Sequence, residues 1–233
     1  MKLSVLIPVY NEEHTIEAVI KKIKFIKLPY NMTKEIIIVN DGSTDGTLGI
    51  LEQYSTDPIV RIFYQTKHSG KASALILGIK NSSGDIILIQ DADLEYSPDD
   101  YPSLIEPIVK GETEVVYGSR FKGKIEKMKT INKIANIISN ITLNLLFNTK
   151  ISDVNTCYKV FKKDVLKNIR LNSNNFVFET EITAKLLKAG YKIREVPIRY
   201  VARSKEEGKK MNWFHALTMY WGMIKYRFMN DGK

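Results

Sequence analysis

The first half of this 233-residue chain predicts an α/β fold: a mostly parallel central sheet flanked by helices on both faces. Three observations carry that expectation. Short apolar, β-branched runs alternate with segments of helical periodicity, the rhythm of βαβ units. Two of the runs, I-I-I-V (36–39) and I-I-L-I (86–89), are apolar throughout rather than at every second position, as buried strands of a parallel sheet are. Three of them end in polar clusters (Y-N-E, D-G-S and Q-D-A-D), where open parallel sheets bind ligands.

In chain order, residues 3–8 read as a strand and 12–26 as a helix with Ile16, Val19, Ile20 and Ile23 on one stripe. Residues 35–40 (E-I-I-I-V-N) form the second strand, followed by the turn D-G-S-T-D-G and a helix over 47–54. A third strand covers 60–65, a helix 70–81 and a fourth strand 85–90. The helix over 98–109 opens at Ser97 or Pro98, and 114–118 is a further strand. Beyond Arg120 the alternation breaks. Residues 124–148 read as one long amphipathic helix, S-D-V-N-T-C-Y-K-V-F as a turn, and 178–189 as a helix with Gly190 at its C′ position. A strand over 193–201, a mobile charged loop over 202–210 and a helix over 211–228 complete the chain. With no linker or repeat, the expectation is one domain over 1–233, with a front half (1–119) and a back half (120–233).

Composition narrows the classes. An apolar fraction of 44% and a charged fraction of 26% are those of an ordinary globular protein. Cys157 is the single cysteine, so an intramolecular disulfide is excluded and a reducing, cytoplasmic setting is the expectation. His14, His68 and His215 are too far apart to read as zinc ligands. The opening M-K-L-S-V-L-I-P-V-Y-N-E-E is too short in apolar residues for a signal peptide, and no run reaches membrane-spanning length. The front half holds 11 Lys+Arg against 17 Asp+Glu, the back half 24 against 9. An acidic, metal-friendly front joined to a basic back fits an anionic ligand bridged by metal at one end. Nucleic acid is disfavoured, because no helix-turn-helix, RNP-like or zinc-finger pattern accompanies the charge.

The chemistry is concentrated in D-I-I-L-I-Q-D-A-D-L-E, where a buried strand delivers Asp91 and Asp93 into a turn. Two close carboxylates raise each other's pKa, and a hard divalent cation relieves that repulsion. Gly70-Lys71 is not a Walker loop and no G-x-G-x-x-G follows the first strand, so two common nucleotide fingerprints are missing.

P-V-Y-N-E-E, V-N-D-G-S-T-D-G-T, S-G-K-A-S-A-L, Q-D-A-D, G-S-R and F-E-T-E, in that order, resemble the family 2 glycosyltransferases of the GT-A fold. D-V-N-T-C-Y-K-V-F and R-S-K-E-E-G-K-K-M-N-W resemble their dolichyl-phosphate mannose/glucose synthase-like branch. The resemblance implies an inverting transferase moving a hexose from a UDP- or GDP-linked donor. Its acceptor would be a polyprenyl phosphate at a membrane surface; the alternatives are transfer to a saccharide hydroxyl or a non-catalytic module that binds nucleotide sugars or anionic membranes. Pro8, Tyr10 and Glu12 would then frame the nucleoside, Asp41 would accept a base N–H, and Lys71 and Arg203 would lie by the nucleotide. Asp91 and Asp93, helped by Gln90, would hold Mg²⁺ or Mn²⁺; Arg120 and Lys159 would take the acceptor phosphate. Glu179 and Glu181 stand where hydroxyl-transferring relatives carry a catalytic acid, and of the two Glu181 is expected to face the sugar. The last helix, with Phe214, Leu217, Trp221 and Ile224 on one stripe, fits either packing on its own domain or an interfacial role.

Overall fold

The computed structural model describes residues 1–171, 177–204 and 213–229, the side chains of 213–219 excepted. Among them, seven strands form one sheet: β1 (Lys2–Val9), β2 (Thr33–Asn40), β3 (Val60–Tyr64), β4 (Ile86–Ile89), β5 (Val115–Glu126), β6 (Lys159–Lys162) and β7 (Ile193–Val201). Their spatial order is β3-β2-β1-β4-β6-β5-β7. β6 is antiparallel to both its neighbours, β4 and β5, and every other pairing is parallel. Both halves of the chain therefore contribute strands to the same sheet.

The helices are α1 (Ile16–Phe25), α2 (Thr47–Glu52), α3 (Lys71–Asn81), α4 (Tyr101–Val109), α5 (Thr130–Phe147), α6 (Lys163–Lys167), α7 (Phe178–Lys188) and α8 (Trp213–Phe228). Successive side chains of a strand point to opposite faces, so the complete burial of Ile86, Ile87, Leu88 and Ile89 shows that both faces are covered at the sheet's centre. The expected stripe Ile16, Val19, Ile20 and Ile23 is the buried face of α1. Ser97 caps the 3₁₀ turn that leads into α4, its Oγ accepting from the Asp99 N–H, and Gly190 follows α7 with φ +83°.

Three expectations about the back half are corrected. β5 does not stop at 118 but runs to Glu126, pairing Lys124, Ile125 and Glu126 with Arg199, Tyr200 and Val201 after a register shift. Gly123 makes this possible: a Cβ there would lie 2.0 Å from the Ile198 carbonyl oxygen. The long helix consequently starts at Thr130 rather than 124. The segment taken as a turn contains β6, and α6 follows directly. Four residues are too few to register as a periodic pattern, and a strand antiparallel to its neighbours breaks the βαβ rhythm. The expected mobile loop falls, from residue 205 on, outside the described residues.

Candidate active site

The strand order sets the carboxyl ends of β2, β1 and β4 side by side, which brings the three polar clusters together. Hydrogen bonds lock the loops that follow. Asn11, at φ +51°, donates its N–H to Ser43 Oγ at 3.0 Å and accepts the Thr44 N–H on Oδ1 at 2.8 Å. The Glu12 N–H reaches Thr47 Oγ1 at 2.9 Å, and Thr15 Oγ1 is 2.9 Å from both Glu12 Oε2 and the Ala92 carbonyl. Pro8 lies near the end of β1 opposite Val39, below this rim.

Two cations divide the acidic centre between them. Lys71 Nζ stands 2.7 Å from Asp91 and 2.9 Å from Glu179. Burial opposes its charge, yet the two carboxylates hold its pKa well above the usual lysine value. Asp91 is correspondingly lowered, the Lys71 charge outweighing burial. Arg203 bridges Glu12 at 3.0 Å and Asp93 at 2.8 Å. Asp93 nonetheless remains short of positive charge: burial first, then Asp91 and Glu95, push its pKa up to about 7. Glu95 is itself held by the Tyr200 hydroxyl at 2.9 Å and the Arg203 N–H at 2.8 Å.

The structure thus gathers Tyr10, Glu12, Asp41, Lys71, Asp91, Asp93, Glu179 and Arg203 around one crevice, and it corrects three other assignments. Gln90 is fully buried, with Oε1 accepting from Tyr101 and Tyr158 (2.8 Å each) and Nε2 bonded to the Asp91 carbonyl, so nothing is left for a metal. Lys159 is fully buried on β6, its Nζ capping the carbonyls of Val154 (2.9 Å) and Thr156 (2.5 Å), and burial lowers its pKa to about 8. Glu181 is 0% exposed and paired with Lys185 at 2.8 Å, so the acidic residue that turns to the centre is Glu179. Arg120 is buried at the end of the first part of β5, held by Asp153 through Nε (2.8 Å) and Nη2 (2.7 Å), and Nη2 also donates to Asn136 (3.2 Å).

Three residues given no role in the sequence analysis complete the site. Glu95 belongs to the same turn as Asp91 and Asp93, two residues on, and that spacing was the available signal. Asp153 opens the motif D-V-N-T-C-Y-K-V-F, but its pairing with Arg120 spans 33 residues and has no local signature. His68 Nδ1 lies 2.8 Å from an Asp41 carboxylate oxygen, and its ring stacks on Tyr10 with centroids 3.9 Å apart. It sits just past the carboxyl end of β3, a neighbouring strand end without an acidic or glycine-rich motif.

Among the described residues, no group of three or more His, Cys, Asp and Glu side chains is arranged to hold a metal by itself. The donors nevertheless fit a hard cation that takes most of its ligands from elsewhere. Mg²⁺ commonly uses one or two carboxylates plus substrate phosphates. Asp93, buried among like charges with its pKa near 7, is a carboxylate in want of such a cation.

The backbone as a whole has the fold of the GT-A glycosyltransferases. It superposes on glucosyl-3-phosphoglycerate synthase from Mycobacterium tuberculosis, solved with Mn²⁺, UDP and glucosyl-3-phosphoglycerate, with a TM-score of 0.76 over 99% of this chain and 81% of that one, at 19% identity. The chain belongs to glycosyl transferase family 2, whose sequence profile matches residues 4–170. It is 34% identical over 216 residues to the dolichol-phosphate mannosyltransferase of Pyrococcus furiosus, covering 90% of this chain and 59% of the relative. It is 26% identical over 218 residues to the undecaprenyl-phosphate mannosyltransferase of Micrococcus luteus, covering 90% and 87%. The chain thus spans little more than half the length of the Pyrococcus protein.

Proposed function

We propose that the protein is an inverting, divalent-metal-dependent hexosyltransferase that uses a UDP- or GDP-linked sugar and a polyprenyl phosphate acceptor at a membrane surface. One observation carries the donor side: Lys71 and Arg203 are held against Asp91 and Asp93 at the strand ends of a family 2 fold. That is a set of cations and carboxylates suited to a diphosphate and its metal. Mg²⁺ or Mn²⁺, held by Asp91 and Asp93, would supply charge neutralisation on the departing nucleoside diphosphate. Lys71 and Arg203 have donors to turn from carboxylate to phosphate oxygens once the carboxylates are otherwise neutralised.

The acceptor side rests on three supports. The Pyrococcus and Micrococcus relatives are both named for transfer to a polyprenyl phosphate. A phosphate monoester is largely ionised at neutral pH and attacks the anomeric carbon without a strong base. This agrees with the acidic residues available, since Glu179 is tied to Lys71 and Glu181 is sealed beside Lys185. The third support is a surface. Ile131, Ile134, Ile138, Ile141 and Leu145 follow one another at helical spacing along α5 and all face solvent, Leu145 at 80%. Exposed Lys124, Lys127, Lys129, Lys133 and Lys150 flank them. Trp221, Ile224 and Phe228 extend the apolar surface on α8, which packs against α5. Apolar side chains rimmed by lysine fit a helix lying in an anionic lipid interface. No helix among the described residues is long and apolar enough to cross a membrane.

The test is a transfer assay with radiolabelled UDP-glucose, UDP-N-acetylglucosamine and GDP-mannose, Mn²⁺, and vesicles carrying a polyprenyl phosphate. Solvent-extractable label from one donor, abolished by EDTA, is expected. Label passing only to soluble saccharides would replace the lipid acceptor by a hydroxyl one.

A further inference from the structure

We propose that Tyr200 is a positioning residue shared by both sides of the site: its ring seats Arg120 on the acceptor side, and its hydroxyl fixes Glu95 and, through it, Arg203 on the donor side. This rests on the transferase reading above and adds to it a residue that serves both substrates.

Ile198 and Tyr200 share the buried face of β7, at 2% and 3% exposure. A phenylalanine would fill the same space at residue 200, so the hydroxyl is the informative atom. A buried tyrosine O–H needs an acceptor. This one donates to Glu95 Oε2 at 2.9 Å. The other oxygen of that carboxylate accepts the Arg203 N–H at 2.8 Å, and the Arg203 guanidinium reaches Asp93 at 2.8 Å and Glu12 at 3.0 Å. Glu95 is thus a bolt between Tyr200 and the backbone that carries Arg203. Without the hydroxyl the carboxylate is free to turn, and Arg203 loses a fixed point of attachment.

The ring acts on the other side. The Arg120 guanidinium lies against it, Cζ 5.0 Å from the centroid, within the range of a cation–π contact. Arg120 falls in the register shift of β5 between Ser119 and Lys124, so side-chain contacts rather than strand pairing set its direction. Asp153 and Asn136 hold its edge through Nε and Nη2, and among the described residues Nη1 makes no hydrogen bond. The face on Tyr200 and the edge on Asp153 fix the plane of the guanidinium and leave Nη1 for an anionic ligand.

Tyr200 itself has little freedom. Its backbone pairs with Ile125 of β5 on one side and bridges to Tyr96 on the other, where the Tyr96 ring meets it edge-on at 5.1 Å. The next residue donates its N–H to the Glu95 carbonyl at 3.0 Å. A side chain on a strand clamped along both edges is a rigid support for groups that touch substrate.

The test separates the hydroxyl from the ring. Nucleotide affinity is measured by calorimetry with Mn²⁺ and UDP or GDP, whichever the wild type binds, and acceptor KM by transfer to a polyprenyl phosphate in vesicles. Tyr200→Phe should weaken nucleotide binding about three- to tenfold, the worth of one hydrogen bond, with acceptor KM unchanged. In a Glu95→Ala background the same substitution should cost nothing further, because the carboxylate it acts through is gone. Tyr200→Leu, or Tyr200→Met should that variant not fold, loses ring and hydroxyl together. It should weaken the nucleotide as Tyr200→Phe does and also raise acceptor KM about fivefold or more. A merely structural tyrosine would lower the melting temperature without this split. Unchanged nucleotide affinity in Tyr200→Phe, an undiminished effect in the Glu95→Ala background, or an unchanged acceptor KM without the ring overturns the proposal and leaves the transferase reading intact. A wild type that binds neither nucleotide overturns both.

Discussion

At the scale of single residues, the site is governed by which carboxylates are paired and with what. Glu179 and Glu181 are two positions apart on α7, and their surroundings differ completely: one completes the Lys71–Asp91 cluster, the other is sealed with Lys185. Glu179→Gln is expected to lower kcat ten- to a hundredfold with little change in melting temperature, because it loosens Lys71 at the centre. Glu181→Ala should instead destabilise the fold by about 3 kcal/mol, the usual result of stripping one partner from a buried pair, and urea unfolding measures it. Arg120→Ala is expected to behave like Glu181→Ala, since it leaves Asp153, 0% exposed, without its guanidinium. A loss of activity in that variant is therefore read together with its unfolding curve. The placement of Asp91 and Asp93 in the crevice was legible because their strand end is one of three that finish in polar clusters, whereas a D-x-D alone is as readily a capped turn. The choice between Glu179 and Glu181 was not, because helix phase relative to a distant lysine depends on packing. Lys159 was misread for a related reason: its ammonium satisfies the Val154 and Thr156 carbonyls, partners that only the folded loop brings near.

At the scale of elements, the front half was readable because β1, β2 and β4 are buried apolar runs and helical segments alternate with the strands. The back half was not, because β6 is four residues long and the outer part of β5 (F-K-G-K-I-E) is polar, pairing on the strength of Gly123 and β7 rather than of its own pattern. Away from the crevice, at the opposite end of the sheet, Glu35 ties β2 to β1 and to the turn before β4. Burial would raise its pKa, but hydrogen bonds from Ser4 Oγ (2.5 Å), the Ser83 N–H (2.7 Å) and Lys2 Nζ (3.0 Å) outweigh it and hold the carboxyl at about 2. A lowered carboxylate pKa stabilises the fold above the unfolded value, near 4.5, and that contribution is lost as pH falls toward 2. Glu35→Gln should accordingly cost on the order of 2 kcal/mol at pH 7 and nothing near pH 2, with transferase activity at neutral pH unchanged. Unfolding curves across that range check both the size and the sign.

At the scale of the whole molecule, the acidic front half places its carboxylates at the crevice, while the basic back half surrounds the exposed apolar face of α5 and α8 with lysines. If that face meets lipid, Ile134→Lys combined with Ile138→Lys should reduce co-sedimentation with anionic vesicles several-fold without lowering the melting temperature, both positions being exposed already. Donor binding in solution should be untouched. The proposed chemistry depends above all on a nucleoside diphosphate and a divalent cation binding together at Asp91 and Asp93. Thermal shift with Mn²⁺ and UDP or GDP tests it most directly, because a ligand at a hundred times its Kd stabilises by about 2.7 kcal/mol. The prediction is a rise in melting temperature that requires metal and nucleotide together and disappears in Asp93→Asn. An equal rise in EDTA, or an undiminished one in Asp93→Asn, would contradict it.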